Sequence, residues 1–177
     1  MTTFIALLRG INIGGNNKLP MKDLSALLTG MGLREVQTYI QSGNVVFRSA
    51  AKDRMALAAK ISAAIKTQHG FAPRVWLLTV EELREAMANN PYPEAEAVPT
   101  SLHLLFLAEV PPQPKLKEMD ALKTSSERYT LTDKMFYLHA PDGVGRSKLA
   151  ASAEKLLGVA ATGRNWNTVC KLAEMAG

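Results

Sequence analysis

Twice along this chain the hydrophobic pattern changes period in the same order: strand, helix, strand, strand, helix, strand. That order restricts the fold more tightly than any single motif. Residues 3–8 are apolar without alternation (Phe4, Ile5, Ala6, Leu7, Leu8), the pattern of a strand buried on both faces. Pro20 suits the first turn of a helix, where its missing N–H is not needed. Leu24, Leu27, Leu28 and Met31 then mark one helical face until Gly30 and Gly32 end it. Residues 35–41 alternate in the strand manner, with Val36, Thr38 and Ile40 set against Gln37, Tyr39 and Gln41. Ser42, Gly43 and Asn44 signal a turn, and residues 45–48 return as the second arm of a hairpin. An alanine-rich helix over residues 51–69 places Leu57, Ile61, Ala64 and Ile65 on one face and stops at Gly70. Residues 73–78 form the next strand.

Thr79 and Glu82 have the spacing of a capping box, which opens a short linking helix carrying Leu83, Ala86 and Met87. The run Asn89, Asn90, Pro91, Tyr92, Pro93 breaks it, and Tyr92 is placed to pack against a flanking proline. From residue 102 the order begins again. Strand 102–107, helix 115–122, strand 128–131, turn 132–134 and strand 135–139 are followed by helix 147–157 and a short strand near 159–162. A terminal helix starts at about Thr168. The halves match in topology and not in residues. The order predicts an α+β protein of two ferredoxin-like β-α-β-β-α-β repeats, each an antiparallel sheet covered by helices, plus a C-terminal helix. The expected division is residues 1–79 for the first repeat, 80–100 for a linking helix and proline-rich linker, and 101–177 for the second repeat with the terminal helix.

Composition supports a folded chain, since 47% of the 177 residues are hydrophobic and no long polar tract interrupts them. No apolar run reaches the length of a signal-peptide core or a membrane span, so the expected location is cytoplasmic, with no membrane partner. Cys170 is alone, which leaves no disulfide and no thiolate metal cluster and suits core filling. The formal charge is +5 and is uneven: residues 1–90 hold 11 Lys/Arg against 6 Asp/Glu, whereas residues 91–177 hold 10 of each. Residues 143–171 are locally basic again, with Arg146, Lys148, Lys155, Arg164 and Lys171 against Glu154. Such an excess fits an anionic ligand or nucleic acid, and also plain solubility.

Residues 9–20, RGINIGGNNKLP, join the first strand to the first helix and combine three glycines and three asparagines with Arg9 and Lys18. Gly10, Gly14 and Gly15 permit positive φ and close approach, while Asn12, Asn16 and Asn17 tolerate the left-handed region and add amide donors and acceptors. Successive backbone amides in such a loop can form a concavity for an anion. The loop is not a Walker A motif, because Asn16 and Asn17 stand where lysine and a hydroxyl residue belong. Asn12 likewise breaks the G-x-G-x-x-G spacing of a dinucleotide site. A connection that only turns the chain has the same composition.

The topology gathers two polar clusters. In the first repeat the loop and the hairpin lie at one end of the sheet, which brings Arg9, Asn12, Lys18, Gln41, Ser42 and Asn44 together. There Arg9 needs a carboxylate, carbonyls or a bound anion as partner. In the second repeat residues 143–148 meet residues 164–167. Ser147 is an N-cap with Lys148 in the first turn, an unfavourable place for a lysine unless negative charge is near. Arg164 and Asn165 flank Trp166, which could stack on a base or sugar, although a tryptophan opening a helix is more often a packing anchor.

Catalytic constellations are thin. His69, His103 and His139 are scattered without a second ligand at metal spacing. The acidic pairs sit at a cap and in the linker, and no G-x-S-x-G elbow occurs. Tyr39, Ser42, Ser147 and Lys148 could move protons or attack only with activation supplied by a substrate. No metal and no cofactor is expected. A sheet platform for nucleic acid would use Phe47, Tyr39 and Trp76, yet no aromatic-basic motif of the RNP kind is present.

The segments LLRGINIGGNNK (7–18), TYIQSGNVVF (38–47) and RNWNT (164–168), with GRSKL (145–149), resemble the bacterial family called domain of unknown function 1697. The resemblance runs along essentially the whole chain, implies a pair of ferredoxin-like repeats and carries no established activity. The pairing of flexible backbone donors with arginine and lysine, not the resemblance, gives the leading reading: a small cytoplasmic protein that binds a phosphate-bearing ligand, nucleotide or nucleic acid through the glycine-rich loop and residues 164–167. Gly14, Gly15 and the basic residues would hold the negative charge. One alternative is an enzyme acting on a phosphorylated or acidic metabolite, with Arg9, Lys18, Lys148 or Arg164 as electrostatic stabilisers. The other is an interaction protein whose polar loops hydrogen-bond one another.

Overall fold

The computed structural model describes all 177 residues, and no helix in it is long and apolar enough to cross a membrane. The chain divides into two compact units: Met1–Glu85 with Lys171–Gly177, and Ala86–Cys170. The division falls inside two helices, one at the end of the first repeat and one at the C-terminus.

In the first unit the elements are β1 (Thr2–Leu8), α1 (Met21–Gly30), β2 (Arg34–Tyr39), β3 (Asn44–Ser49), α2 (Arg54–His69) and β4 (Val75–Thr79). The strands form an antiparallel sheet in the order β2-β3-β1-β4, so β1 lies between β3 and β4. Alternation along β1 sends Phe4, Ala6 and Leu8 into one cluster with Leu24 and Leu28 of α1 and Ile61 and Ile65 of α2. Ile5 and Leu7 point to the opposite face and are equally buried, as their unbroken apolar run requires. The Asp53 carboxylate caps α2 by accepting from Ala56 N at 3.0 Å. Gly70, at φ +83°, closes the helix by donating to Lys66 O at 2.9 Å. The capping box forms as its spacing predicts: Glu82 Oε2 accepts from Thr79 N at 2.9 Å and Thr79 Oγ1 from Glu82 N at 3.2 Å. It opens α3 (Val80–Ala88).

The second unit contains β5 (Leu102–Leu107), α4 (Leu116–Leu122), β6 (Arg128–Leu131), β7 (Met135–His139), α5 (Lys148–Leu157) and β8 (Ala161–Asn165), followed by α6 (Trp166–Ala176). Its sheet is again antiparallel, in the order β6-β7-β5-β8. Leu107, Phe136 and Leu138 pack with Met119, Leu149, Ala153 and Leu157 from its helices. The segment before β5 is organised as two 3-10 turns, Pro93–Ala97 and Pro99–Ser101. Tyr92 is buried there, with its hydroxyl 2.7 Å from Thr130 Oγ1 and its ring 4.5 Å from the Arg128 guanidinium carbon.

Several element boundaries differ from the sequence reading. The last strand is later and longer than 159–162, because β8 takes in Gly163 and Arg164, residues of low strand propensity that pair in register with Leu105 and Leu104. Asn165 Oδ1 accepts from Thr168 N at 3.0 Å, and α6 accordingly starts at Trp166 rather than Thr168. At the first hairpin, β2 ends at Tyr39, and Ile40 is a turn residue at φ +46° with half its surface exposed instead of a member of the Val36 and Thr38 face.

Candidate functional site

The loop between β1 and α1 is itself a miniature hairpin. Its tip is a two-residue turn: Asn16 N donates to Ile13 O at 2.9 Å across an antiparallel bridge, with Gly14 at φ +57° and Gly15 at φ +77°. Positive φ at both central residues is what such a turn demands, and glycine meets the demand without strain. Asn12 N donates to Asn17 O at 3.1 Å, which closes the base of the hairpin. Both asparagines lie in the left-handed region, at φ +54° and +49°.

Asn12 is the staple of this loop. Its carboxamide donates to Leu19 O at 2.9 Å and Gln41 O at 2.8 Å and accepts from Leu19 N at 2.8 Å, so both ends of the amide are engaged within the chain. Asn17 Nδ2 adds a bond to Gly10 O at 3.0 Å. The bond to Gln41 O ties the loop to the β2–β3 turn, as the strand order requires. That turn is held in its own way: Asn44, fully buried, donates to Tyr39 O at 3.1 Å and Ser42 Oγ at 2.8 Å. Gly43 O accepts from Leu8 N at 2.8 Å. A β-carbon on Gly43 would lie 2.8 Å from both Ile11 Cδ1 and Leu8 Cβ, so the two segments meet at a point only glycine can occupy.

The predicted residues therefore sort by role. Asn12, Ser42 and Asn44 build the platform. The tip stands clear of it: no hydrogen bond within the chain uses the amides of Gly14 and Gly15 or the carboxamides of Asn16 and Gln41, and the exposed Lys18 ammonium has no ion pair. Arg9 follows β1 directly and is exposed, with its backbone N–H on Arg74 O at 3.0 Å. Sequence reasoning missed two exposed isoleucines beside this polar set, Ile13 at 65% and Ile40 at 50% exposure. The legible signal was a β-branched residue between asparagine and glycine in a loop.

The second predicted cluster lies in the second unit. Because β7 and β8 both run antiparallel to β5, His139 and Asn165 finish at the same end of the sheet, opposite Leu102 and His103. Ser147 is the expected N-cap, buried and accepting from Ala150 N at 3.0 Å, and Lys148 is exposed in the first turn of α5. Arg164 is a strand residue, only 8% exposed. Its Nη1 donates to Thr162 Oγ1 at 2.9 Å and Gly163 O at 2.8 Å, and burial pulls its pKa down to about 10. Asn165 spends its side-chain oxygen on the α6 cap, and Trp166 is buried at the first helical position. Trp166 is thus placed as a packing anchor is placed.

Of the three aromatics a nucleic-acid platform would use, Phe47 and Trp76 are withdrawn, while Tyr39 is half-buried. Phe47 lies 6.0 Å from Phe4 in the core with no exposure, and Trp76 is 9% exposed. No three His, Cys, Asp or Glu side chains gather at metal-binding distance. The positive excess belongs to the first unit, which carries 12 Lys/Arg against 7 Asp/Glu, while the second carries nine of each.

These features define an α+β protein of two ferredoxin-like repeats with a stapled, glycine-tipped loop at the end of the first sheet. The chain belongs to the family described as protein of unknown function DUF1697, whose pattern matches residues 1–137. The loop and hairpin motifs fall within that match, and residues 145–149 and 164–168 lie beyond it. Among solved structures, the conserved bacterial protein SP0830 from Streptococcus pneumoniae shares the fold with a TM-score of 0.76, at 24% identity over 99% of each chain. No curated protein matches the sequence.

Proposed function

We propose that this is a cytoplasmic binding protein for a phosphate-bearing ligand, which it takes at the tip of the loop in its first unit. What supports this reading is the division of labour within the loop: Asn12 and Asn17 fix the backbone from behind, while the Gly14 and Gly15 amides and the Lys18 ammonium have no partner in the chain. A pre-fixed backbone loses little conformational entropy on binding, and amide donors beside an ammonium are the groups that phosphate oxygens accept from. The first unit also carries the net positive charge that would draw an anion to it.

In the second unit Lys148 remains exposed at a helix start, but Arg164, Asn165 and Trp166 are engaged or buried, which favours a structural part for them. The loop in the first unit is accordingly the site we assign. A thermal-shift panel of inorganic phosphate, pyrophosphate, sugar phosphates and nucleotides tests the reading. At least one class is expected to raise the melting temperature of the wild-type protein, and Lys18→Ala to remove the rise. No stabilisation across the panel, with an unchanged melt for Arg9→Ala, would instead favour the interaction-protein alternative.

A further inference from the structure

Beside the phosphate donors stand groups that a bare phosphate has no use for. Ile13 and Ile40 are among the most exposed large apolar side chains of the first unit, and each adjoins one end of the Asn12 to Gln41 hydrogen bond that fastens loop to hairpin. Ile40 carries a second anomaly. It is β-branched and sits at φ +46°, a conformation that strains such a residue and that asparagine or glycine would adopt readily. An exposed apolar residue held in a strained backbone contributes nothing to the core, and strain of this kind collects where a surface has to be presented. The side-chain amides of Asn16 and Gln41 are uncommitted in the same region.

Resting on the phosphate reading above, we infer that the ligand is a nucleotide: its phosphates on the Gly14, Gly15 and Lys18 groups, its base against Ile13 and Ile40, and the base edge within reach of Asn16 or Gln41. A base has two apolar faces and a polar rim, which is the chemistry this patch offers beyond its anion donors. A sugar phosphate or an inorganic anion would leave both isoleucines in water.

The test compares inorganic triphosphate with ATP, GTP, CTP and UTP by isothermal titration to the full chain, in the wild type and in Ile13→Ser, Ile40→Asn and Lys18→Ala. The expected result is that at least one nucleotide binds about tenfold more tightly than inorganic triphosphate, the gain that covering the two side chains provides. Ile13→Ser and Ile40→Asn should erase that margin and leave triphosphate binding unchanged, while Lys18→Ala weakens both. Ile40→Asn should also raise the melting temperature, because asparagine accepts the left-handed backbone, so its lost affinity cannot be put down to misfolding. Equal affinity for nucleotides and triphosphate, untouched by either isoleucine substitution, would overturn the inference and leave the phosphate reading standing. Binding of neither would overturn both.

Discussion

Gly43 is buried at φ +82° between Leu8 and Ile11, and its neighbours leave no room for a methyl group. Any side chain there meets two penalties, the left-handed backbone and a contact that displaces Leu8 Cβ, an atom fixed to the main chain. Gly43→Ala is therefore expected to destabilise the first unit by about 3 kcal/mol, read as a lower denaturant midpoint with an unchanged slope. Its composition marks residues 9–20 as a special loop, but not which of its donors are already spent. Asn12 has the same residue type as Asn16, and only the fold brings Gln41 O, 29 positions away, to one of them. Arg164 shows the same limit: its charge suggests a ligand, and its place on a strand face turns it inward.

Elements whose pattern is self-contained were readable in advance. The strands at Leu102–Leu107, Arg128–Leu131 and Met135–His139 have the bounds expected from the sequence, and the Thr79 capping box states its own geometry. The extent of β8 is less legible, because Gly163, Arg164 and Asn165 lack strand character and are held by pairing with β5. The 3-10 turn at Pro93–Ala97 is likewise held from outside its own sequence. Glu94 pairs with Arg128, whose Nη2 also donates to His139 Nδ1 at 3.0 Å.

That arrangement gives the second unit an acid sensitivity. Burial, then the Arg128 charge, holds the His139 pKa below its usual value, and burial lowers that of His103 despite its ring nitrogen 3.0 Å from Thr100 O. For both, the folded state binds protons less readily than the unfolded one. Their contribution to stability is thus complete above the ordinary histidine value of 6.5 and is lost as pH falls through the lowered folded values. Denaturation midpoints should drop as pH falls from about 7 to about 5, and His103→Gln should flatten that slope. A midpoint that rises on acidification would contradict the assignment.

For the molecule as a whole, two units of the same topology carry different charge. The first holds the entire excess of five positive charges, and the second is neutral by count. Shared topology therefore does not imply shared role. The second unit has Arg164 buried and Trp166 packed, whereas the first exposes a fixed loop with uncommitted donors. Binding that depends on a few phosphate contacts at one tip should weaken only moderately with salt, unlike the steep dependence of a protein that tracks a nucleic-acid backbone.

The backbone amides themselves report most directly on whether the tip receives negative charge. In a 15N-labelled sample titrated with pyrophosphate, the account predicts saturable shifts concentrated at Gly14, Gly15 and Lys18, with the Ser147 and Lys148 amides unmoved. Shifts absent from the tip, or centred on the start of α5, would contradict it.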